Sequence, residues 1–246
     1  MKSKRTVVIT GATRGIGRAT AILFAKNEYN VVCIYKSNRN VADELVKELM
    51  EYHINAVAYS CDVSVYGECK KTFEMIYDRY DFVDVLINNA GITKDKQFIF
   101  MGQDEFDDVI NVNLKGVFNC TKQVIAQMYR NKNGRIINIS SIAGIYGNIG
   151  QSNYSCAKGA LYSFTKSLVK EYAAYGITIN CISPGFIDTD MTRSLSLEKR
   201  ECYIREIPSK RVGKPEDVAN LALFLASEKA EYINGENICV SGGLVI

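Results

Sequence analysis

The start of the chain joins an apolar run, a glycine-rich turn and a helical pattern, which strongly limits the folds open to it. Residues 7–9 are apolar, and small or apolar residues recur at helical spacing over residues 19–25. Glycines between them let backbone N–H groups approach a pyrophosphate, whose charge the helix N-terminus favours. This context predicts a dinucleotide site rather than a ligand-free turn, although the spacing is G-x-x-x-G-x-G. The turn contains Gly11, Thr13, Arg14, Gly15, Ile16 and Gly17.

Apolar runs and helical patterns keep alternating along the chain. The runs that predict strands are residues 4–10, 30–35, 56–60, 83–87, 136–139, 177–182 and 237–240, and helical patterns cover 41–52, 65–80, 104–129 and 160–174. Such alternation implies a parallel sheet with helices on both faces and ligands at the carboxyl ends of the strands. We predict one α/β domain over residues 1–246, a Rossmann-like, doubly wound, seven-stranded parallel sheet.

Composition and charge exclude several classes of protein. The 246 residues are 47% hydrophobic and 23% charged, which is ordinary for a globular protein. A net charge of +3 with no basic run gives no indication of nucleic-acid binding. The basic start precedes too short an apolar run for a signal peptide, and no segment approaches the roughly 20 apolar residues of a membrane span. We expect a cytoplasmic protein that binds neither nucleic acid nor membrane.

The cysteines and the single histidine argue against a metal site. The eight cysteines are never two residues apart, and most lie in apolar surroundings. They are typical of small core residues in a reducing compartment rather than of disulfides or zinc ligands. His53 alone rules out a multi-histidine site, so we expect no metal.

A tyrosine and a lysine four residues apart follow the fifth predicted strand. At this spacing Tyr154 and Lys158 share one helix face. A cation beside a phenol favours the phenolate, so we expect Lys158 to lower the pKa of Tyr154 toward neutrality and enable proton exchange with a substrate oxygen. Ser141 could hold the same oxygen. Taken alone, such a pair is more often a surface tyrosine beside a solvated lysine, but the neighbouring motifs favour the catalytic interpretation.

The end of the second predicted strand bears on the choice of cofactor. An NAD enzyme places an acidic residue here, about 20 residues past the glycines, to bind the ribose 2′-hydroxyl. This chain has Tyr35, Lys36 and Ser37 instead, and Arg14 faces the same corner. Two cations without a carboxylate suit a 2′-phosphate, so we predict NADPH rather than NADH, solvated surface cations being the alternative.

Three further groups of residues fall at strand ends or in a helix. Asp62 and Val63 follow the third strand and could contact an adenine edge. Asn89, Ala90 and Gly91 follow the fourth strand, where backbone could meet a cofactor or simply turn the chain. Asn113 lies inside a helical pattern, where an asparagine is disfavoured without a partner, and is either a buried structural amide or a relay group.

The segment of about 190–211 mixes charged and apolar residues and is typical of a mobile lid.

These motifs together resemble the short-chain dehydrogenase/reductase family. The resemblance covers essentially the whole chain, and within the family it is most similar to the 3-oxoacyl-[acyl-carrier-protein] reductases. The residues that carry it are Thr10, Gly11, Gly15, Ile16, Gly17, Asp62, Val63, Asn88, Asn89, Ala90, Gly91, Asn113, Ser141, Tyr154, Lys158, Pro184 and Gly185.

The resemblance implies a role for each site residue. Tyr154 would protonate the 3-oxo oxygen as hydride arrives from the nicotinamide, and Ser141 would bind that oxygen. Lys158 would depress the Tyr154 pKa and bind the nicotinamide ribose, while Asn113 would anchor a water chain. Further cofactor contacts are assigned to Pro184, Gly185, Ile187 and Thr189, and substrate contacts to Gln151 and Phe186.

The resemblance also implies partners. An acyl-carrier protein would present the substrate, although Tyr175 stands where related chains often carry a basic residue; Arg130, Lys132 and Arg135 remain as cations near the site entrance. A homotetramer is implied, its face supplied by residues that could equally be core: Val117, Val124, Met128, Leu161, Phe164 and Leu168. Acetoacetyl-CoA, a sugar or a polyol are alternative substrates, and a catalytically silent NADP-binding scaffold is a remote alternative.

Overall fold

The structure, a computed structural model, describes residues 4–193 and 197–244. These residues contain seven strands: β1 (Thr6–Thr10), β2 (Asn30–Tyr35), β3 (Ala56–Ser60), β4 (Val85–Asn88), β5 (Gly134–Ile139), β6 (Ile177–Pro184) and β7 (Asn237–Val240). All pair in parallel as one sheet in the order β3-β2-β1-β4-β5-β6-β7. The predicted doubly wound sheet is therefore confirmed.

Helices cover both faces of this sheet. They are α1 (Gly15–Lys26), α2 (Arg39–Met50), α3 (Tyr66–Arg79), α4 (Gln103–Ile110), α5 (Gly116–Asn131), α6 (Ala143–Tyr146), α7 (Ser152–Tyr172), α8 (Asp190–Arg193), α9 (Leu197–Glu206) and α10 (Pro215–Ala226). Residues of α1, α2 and α10 pack with Val7 and Ile9 on one face, whereas α3, α5 and α7 pack with Val8 on the other. The central strands are mainly apolar because both of their faces are buried.

The long helical pattern of residues 104–129 is not one helix. A π-turn, Asn111–Lys115, separates α4 from α5. Single π-turns inside helices are frequent at functional sites, because they displace one residue from the regular hydrogen-bond pattern. Here the displaced segment contains Asn113, which periodicity alone could not reveal.

A row of hydrogen-bonded, buried polar side chains runs from α5 across β4 and β5 to α7. Asn88 Nδ2 donates to Thr121 Oγ1 on α5 at 3.1 Å and to Asn138 Oδ1 on β5 at 2.9 Å. Asn138 Nδ2 donates to Thr165 Oγ1 on α7 at 2.9 Å, and Thr165 Oγ1 lies 3.2 Å from Cys181 Sγ on β6. Asn88 and Asn138 are direct register partners. This polar ladder therefore fixes β4, β5, α5 and α7 relative to one another.

The segment predicted as a lid packs on the chain that follows β6. The ring of Tyr203 on α9 stacks on Phe186 with centroids 4.7 Å apart, and Arg200 forms an ion pair with Asp188 at 2.9 Å. Ile207 is buried at the end of this segment. Residues 194–196 of the predicted lid lie outside the described residues. Mobility of the lid stays a prediction.

Most of the apolar face predicted for subunit contacts is core. Val117, Val124, Met128 and Leu161 are buried within the subunit, and only Phe164 and Leu168 are partly exposed. These four side chains lie on the sides of α5 and α7 that pack on the sheet, because their helical spacing places them there. They cannot supply an interface, which corrects the expectation.

The cations predicted near the site entrance lie elsewhere. Arg130 and Lys132 are exposed at the end of α5, and Arg135 is buried at the amino end of β5, where its Nη1 donates to the carbonyls of Gly134 and Gly176. Tyr175 packs on Tyr129, with ring centroids 4.4 Å apart. The amino ends of parallel strands lie at the edge opposite the carboxyl ends, so in one subunit these residues do not border the site.

Candidate active site

The hydroxyl groups of Ser141 and Tyr154 meet beyond the carboxyl end of β5. Ser141 follows β5 and Tyr154 lies in the first turn of α7, and the two side chains are close enough for Ser141 to lower the pKa of the phenol. Ser141 Oγ accepts the Ala143 N–H at 3.1 Å. Because this bond uses an Oγ lone pair, the Ser141 proton stays available for Tyr154 or for a substrate oxygen. The two groups can thus bind one oxygen atom together.

Lys158 lies one turn further along α7 and is almost fully buried. Its Nζ donates to the Ile139 carbonyl at 2.7 Å and lies 5.8 Å from the centroid of the Tyr154 ring. Burial lowers the pKa of Lys158 to about 8. The side chain is therefore still mainly an ammonium at neutral pH, and its pKa is close enough to neutrality for it to exchange a proton.

The environment of Tyr154 corrects one expectation from the sequence. Burial raises the pKa of Tyr154, the hydrogen bond with Ser141 lowers it, and the negative charge of Asp95 raises it again; the net direction is upward. The Lys158 ammonium donates to the Ile139 carbonyl and is not among the groups that shift the pKa of the phenol. The prediction of a lowered pKa is therefore wrong in this structure. Tyr154 is a protonated phenol at neutral pH.

Asn113 is a buried amide that holds the backbone beyond β4. Its Oδ1 accepts the Ile92 N–H at 3.1 Å, and its Nδ2 donates to the Ile92 carbonyl at 2.8 Å. A Cβ on the adjacent Gly91 would lie 2.6 Å from Asn113 Oδ1 and 3.5 Å from Lys158 Nζ. Asn113 therefore has the structural role left open by the sequence and lies near Lys158. The water relay stays a prediction.

The glycine turn after β1 is packed tightly enough to exclude side chains. Gly11 has φ +63°, and a Cβ on Gly17 would lie 2.3 Å from the Gly11 carbonyl and 2.6 Å from Asn89 Nδ2. Asn89 Nδ2 donates to the carbonyls of Thr10 and Gly11 at 2.9 and 3.1 Å. Thr10 Oγ1 accepts the N–H groups of Asn89 and Ala90. Backbone without Cβ atoms before the N-terminus of α1 fits a pyrophosphate.

The end of β6 completes this edge of the sheet. Gly185 N donates to the Val240 carbonyl, and Pro184 accepts the Ile142 N–H. Ile187 is buried and forms a parallel bridge with Gly213, while Thr189 Cγ2 lies 3.2 Å from the place of a Cβ on Gly15. The structure therefore brings these predicted cofactor residues to the glycine turn and Ser141.

The corner predicted to bind a ribose 2′-phosphate contains a carboxylate after all. Lys36 Nζ forms a 2.6 Å ion pair with Asp62, whose other oxygen accepts from Ser64. Although burial raises it, the hydrogen bonds from Lys36 and Ser64 hold the pKa of Asp62 below its usual value. Arg14 and Ser37 are exposed and Tyr35 is buried. The expectation of two cations without a carboxylate is thus corrected, because β3 ends beside β2.

The other residues assigned to this region differ in role. Val63 is buried, and its carbonyl accepts from Asn119 Nδ2 at 2.8 Å. Gln151 Nε2 donates to Asp95 Oδ2 at 2.8 Å, and its Oε1 accepts from Asn148. Gln151 thus joins two loops with both atoms of its amide, which argues against the predicted substrate contact. Phe186 lines a cavity of about 340 Å³ together with residues that include Ser209, Arg211 and Ser241.

Three residues of this region were not assigned from the sequence. Thr10 joins the ends of β1 and β4, Asp95 lies close enough to Tyr154 to affect its pKa, and Asn153 is fully buried beside Tyr154. Asn153 is the second residue of α7 and not its N-cap, so it carries no capping signal, and the carbonyls of Lys94 and Glu105 that its amide binds are distant in sequence.

The described residues lack two further features. No helix in them is long and apolar enough to cross a bilayer. No group of three or more histidine, cysteine, aspartate or glutamate side chains in them is arranged to hold a metal ion.

Comparisons with known proteins agree with this geometry. Residues 5–200 match the family model described as short chain dehydrogenase. The chain is 43% identical to a 3-oxoacyl-[acyl-carrier-protein] reductase FabG of Staphylococcus epidermidis over 98% of both chains. It is 44% identical to the enzyme of that name from Thermotoga maritima over 98% of both chains. A 3-oxoacyl-[acyl-carrier-protein] reductase of Synechocystis sp. is 42% identical, over 98% of this chain and 97% of its own.

Proposed function

The chain belongs to the short-chain dehydrogenase family, and from this premise we propose that it reduces 3-oxoacyl thioesters with NADPH in fatty-acid biosynthesis. The observation that carries the proposal is the group formed by Ser141, Tyr154 and the buried Lys158 beside the glycine turn. The near full-length similarity to reductases named for 3-oxoacyl-[acyl-carrier-protein] supports the substrate class. Acyl-carrier protein is accordingly the proposed carrier, and acetoacetyl-CoA is the alternative.

The chain's own residues can perform the proton half of this reaction. The bound nicotinamide cofactor would supply a hydride to the substrate carbon. Ser141 donates a hydrogen bond to the carbonyl oxygen, and Tyr154 transfers its proton to that oxygen. A phenol whose pKa is raised by burial is present as the acid at neutral pH, which favours reduction over oxidation. Lys158 brings an ammonium with further N–H donors to the place where the nicotinamide ribose is proposed to bind.

The cofactor preference is part of the proposal. Arg14 and Lys36 are exposed at the corner where the adenosine ribose would lie, and Lys36 is held by a surface ion pair. Such pairs contribute about 0–1 kcal/mol, so Lys36 can turn to a 2′-phosphate at little cost. We expect kcat/KM to favour NADPH. A kcat/KM that favours NADH would contradict this preference and leave the reaction class unaffected.

Assembly and location complete the proposal. A homotetramer is proposed from the family alone, and light scattering should give four times the chain mass of 27.5 kDa. A fully active monomer would contradict it. A cytoplasmic location is supported by the eight cysteines, all of which are free thiols, as is usual in reducing compartments.

The test measures NADPH oxidation with acetoacetyl-acyl-carrier protein, acetoacetyl-CoA and a panel of simple ketones and sugars. Tyr154→Phe should lower kcat by about 10³-fold, because it removes the acid, while NADPH binding measured by fluorescence stays unchanged. Tyr162→Phe, on the same helix, is the matched control and should keep its activity. A Tyr154→Phe variant with near wild-type turnover would overturn the mechanism, and NADPH binding by an inactive wild-type chain would favour a scaffold.

A further inference from the structure

Asn153, the residue before Tyr154, is fully buried and joins three parts of the chain. Its Oδ1 accepts the Tyr154 N–H at 2.7 Å. Its Nδ2 donates to the carbonyl of Lys94, in the loop after β4, and to that of Glu105, on α4, both at 3.0 Å. Buried amides persist in proteins when their polar atoms are bonded in this way. The backbone of the proposed acid is thus tied to segments far away in sequence.

The bond to Tyr154 meets a need of the helix itself. The first N–H groups of a helix have no acceptor within it, and in α7 the regular bonds begin when Ser155 N donates to the Gln151 carbonyl at 2.7 Å. Tyr154 N precedes that bond, and the Asn153 side chain supplies its acceptor. A side chain that bonds a free N–H of the first helical turn is therefore anchored outside the helix.

The loop after β4 is held against the start of α7 at two further points. Lys96 N donates to the Gly150 carbonyl at 2.7 Å, and Gln151 Nε2 donates to Asp95 Oδ2 at 2.8 Å. Residues 94–96, here called the anchor segment, are in turn fixed to α4. Lys96 pairs with Glu105 at 2.7 Å, and Lys94 pairs with Asp108. The anchor segment is thus a braced support beside the first turn of α7.

From these contacts we propose that Asn153 is a positioning residue that sets the phenol of Tyr154 relative to Ser141 by fixing the first turn of α7 to the anchor segment and α4. The inference rests on the proposed function, in which Tyr154 is the acid. Proton transfer depends on distance, and a displacement of about 1 Å can cost about 100-fold in rate. Loss of the Asn153 amide removes the acceptor of the Tyr154 N–H and, at the same time, the bonds to the carbonyls of Lys94 and Glu105.

The test compares Asn153→Ala with Asn180→Ala in the full chain. Asn180 is also buried with both side-chain atoms bonded, to the Ile233 carbonyl and the Glu236 N–H, but lies inside β6. Both variants should lose thermal stability. Asn153→Ala should lower kcat by about 100-fold with NADPH binding unchanged, and its amides 152–156 should exchange hydrogen faster; Asn180→Ala should do neither. Equal kcat in the two variants, or unchanged exchange at 152–156, would overturn the inference.

A second pair of variants covers the case in which Asn153→Ala does not fold. Asp95 is exposed, so its replacement does not threaten the core. Asp95→Ala removes both the charge and the acceptor of Gln151, whereas Asp95→Asn removes the charge and keeps an acceptor, so Asp95→Ala should have a clearly lower plateau kcat than Asp95→Asn. Equal plateau kcat in the two variants would contradict the anchor. Should the wild-type chain reduce no carbonyl compound, the proposed function fails, while hydrogen exchange at 152–156 in Asp95→Ala still decides the anchor.

Discussion

The ammonium of Lys158 occupies a place where its charge opposes folding. Burial lowers the pKa of Lys158 from 10.5 to about 8, so the folded chain releases this proton at lower pH than the unfolded chain does. At 1.36 kcal/mol per pH unit this difference corresponds to about 3 kcal/mol. Such a cost at a catalytic position is expected when a charge is kept for function rather than for stability.

Lys158→Met makes this cost measurable. Below pH 8 both states of the wild type hold the proton, and between about pH 8 and 10.5 only the unfolded state does, so wild-type stability gains with rising pH. The unfolding free energy of the wild type minus that of Lys158→Met should therefore rise by about 3 kcal/mol across this window. Denaturant titrations at a series of pH values measure it. A pH-independent difference would show that the lysine is not buried as a charge.

Asp95 offers a test of the Tyr154 environment. Its negative charge raises the pKa of Tyr154, so Asp95→Asn should lower that pKa. In reduction Tyr154 must be protonated, and activity falls as pH rises through its pKa; the falling limb of kcat/KM should thus move to lower pH. The matched control is Asp107→Asn on the exposed side of α4. A limb that stays in place, or moves equally in the control, would mean that Asp95 does not act on the phenol.

At the scale of elements, the joint between α1, β1 and β4 is a tightly packed part of the proposed cofactor site. A Cβ on Gly17 would lie 2.3 Å from the Gly11 carbonyl, and backbone atoms cannot move aside as a flexible side chain can. We expect Gly17→Ala to raise the Kd for NADPH at least tenfold. Gly67→Ala on α3 is the control, because no atom lies within 4 Å of its Cβ. Fluorescence titration measures both, and an unchanged Kd in Gly17→Ala would contradict the placement of the pyrophosphate.

Elements were predictable from the sequence where periodicity and burial act together. The apolar runs predicted all seven strands because both faces of this sheet are covered, which makes the strands mainly apolar. The π-turn at Asn111–Lys115 was not predictable, since one extra residue in a turn barely disturbs a helical pattern. The loops of Gln151 and Asp95 also escaped prediction, because the hydrogen bond between their side chains joins positions 56 residues apart.

Some features of the candidate site were likewise predictable from the sequence, and others were not. Tyr154, Lys158 and the glycines were predictable because their spacing is local and the chemistry requires it. The direction of the Tyr154 pKa was not, because it depends on burial and on which acceptor Lys158 selects, the Ile139 carbonyl in this structure. Residue identity indicates which groups can react; their protonation is a property of the packed surroundings.

At the scale of the whole molecule, the two edges of the sheet formed by the carboxyl ends and by the amino ends of the strands have different roles. The proposed chemistry lies at the carboxyl edge, whereas Asp84 braces the amino edge, where its Oδ2 accepts the Thr6 N–H at 2.7 Å and its Oδ1 lies 3.6 Å from Arg5. The ring of Tyr29 lies beneath Arg5, 5.3 Å away. This separation allows stability and turnover to be changed independently.

Asp84→Ala tests that independence. Loss of the acceptor leaves a partly buried N–H unpaired, and we expect a cost of about 1–3 kcal/mol in unfolding free energy with kcat unchanged. Asp78→Ala, exposed on α3, should alter neither quantity. Denaturant unfolding and NADPH oxidation measure the two effects. A parallel fall in kcat would show that the edges are energetically coupled.

The chain of amides and hydroxyls from Thr121 through Asn88 and Asn138 to Thr165 also affects how the protein assembles. If β4 slid by one position along β5 during assembly, these groups would face hydrocarbon, and each unmatched group would cost about 1–3 kcal/mol. A shifted pairing of β4 with β5 is thus disfavoured relative to the native register, in strands that otherwise carry mainly valine, isoleucine and leucine side chains. The polar groups that join these elements in the folded protein therefore also favour the native pairing of β4 with β5 during folding.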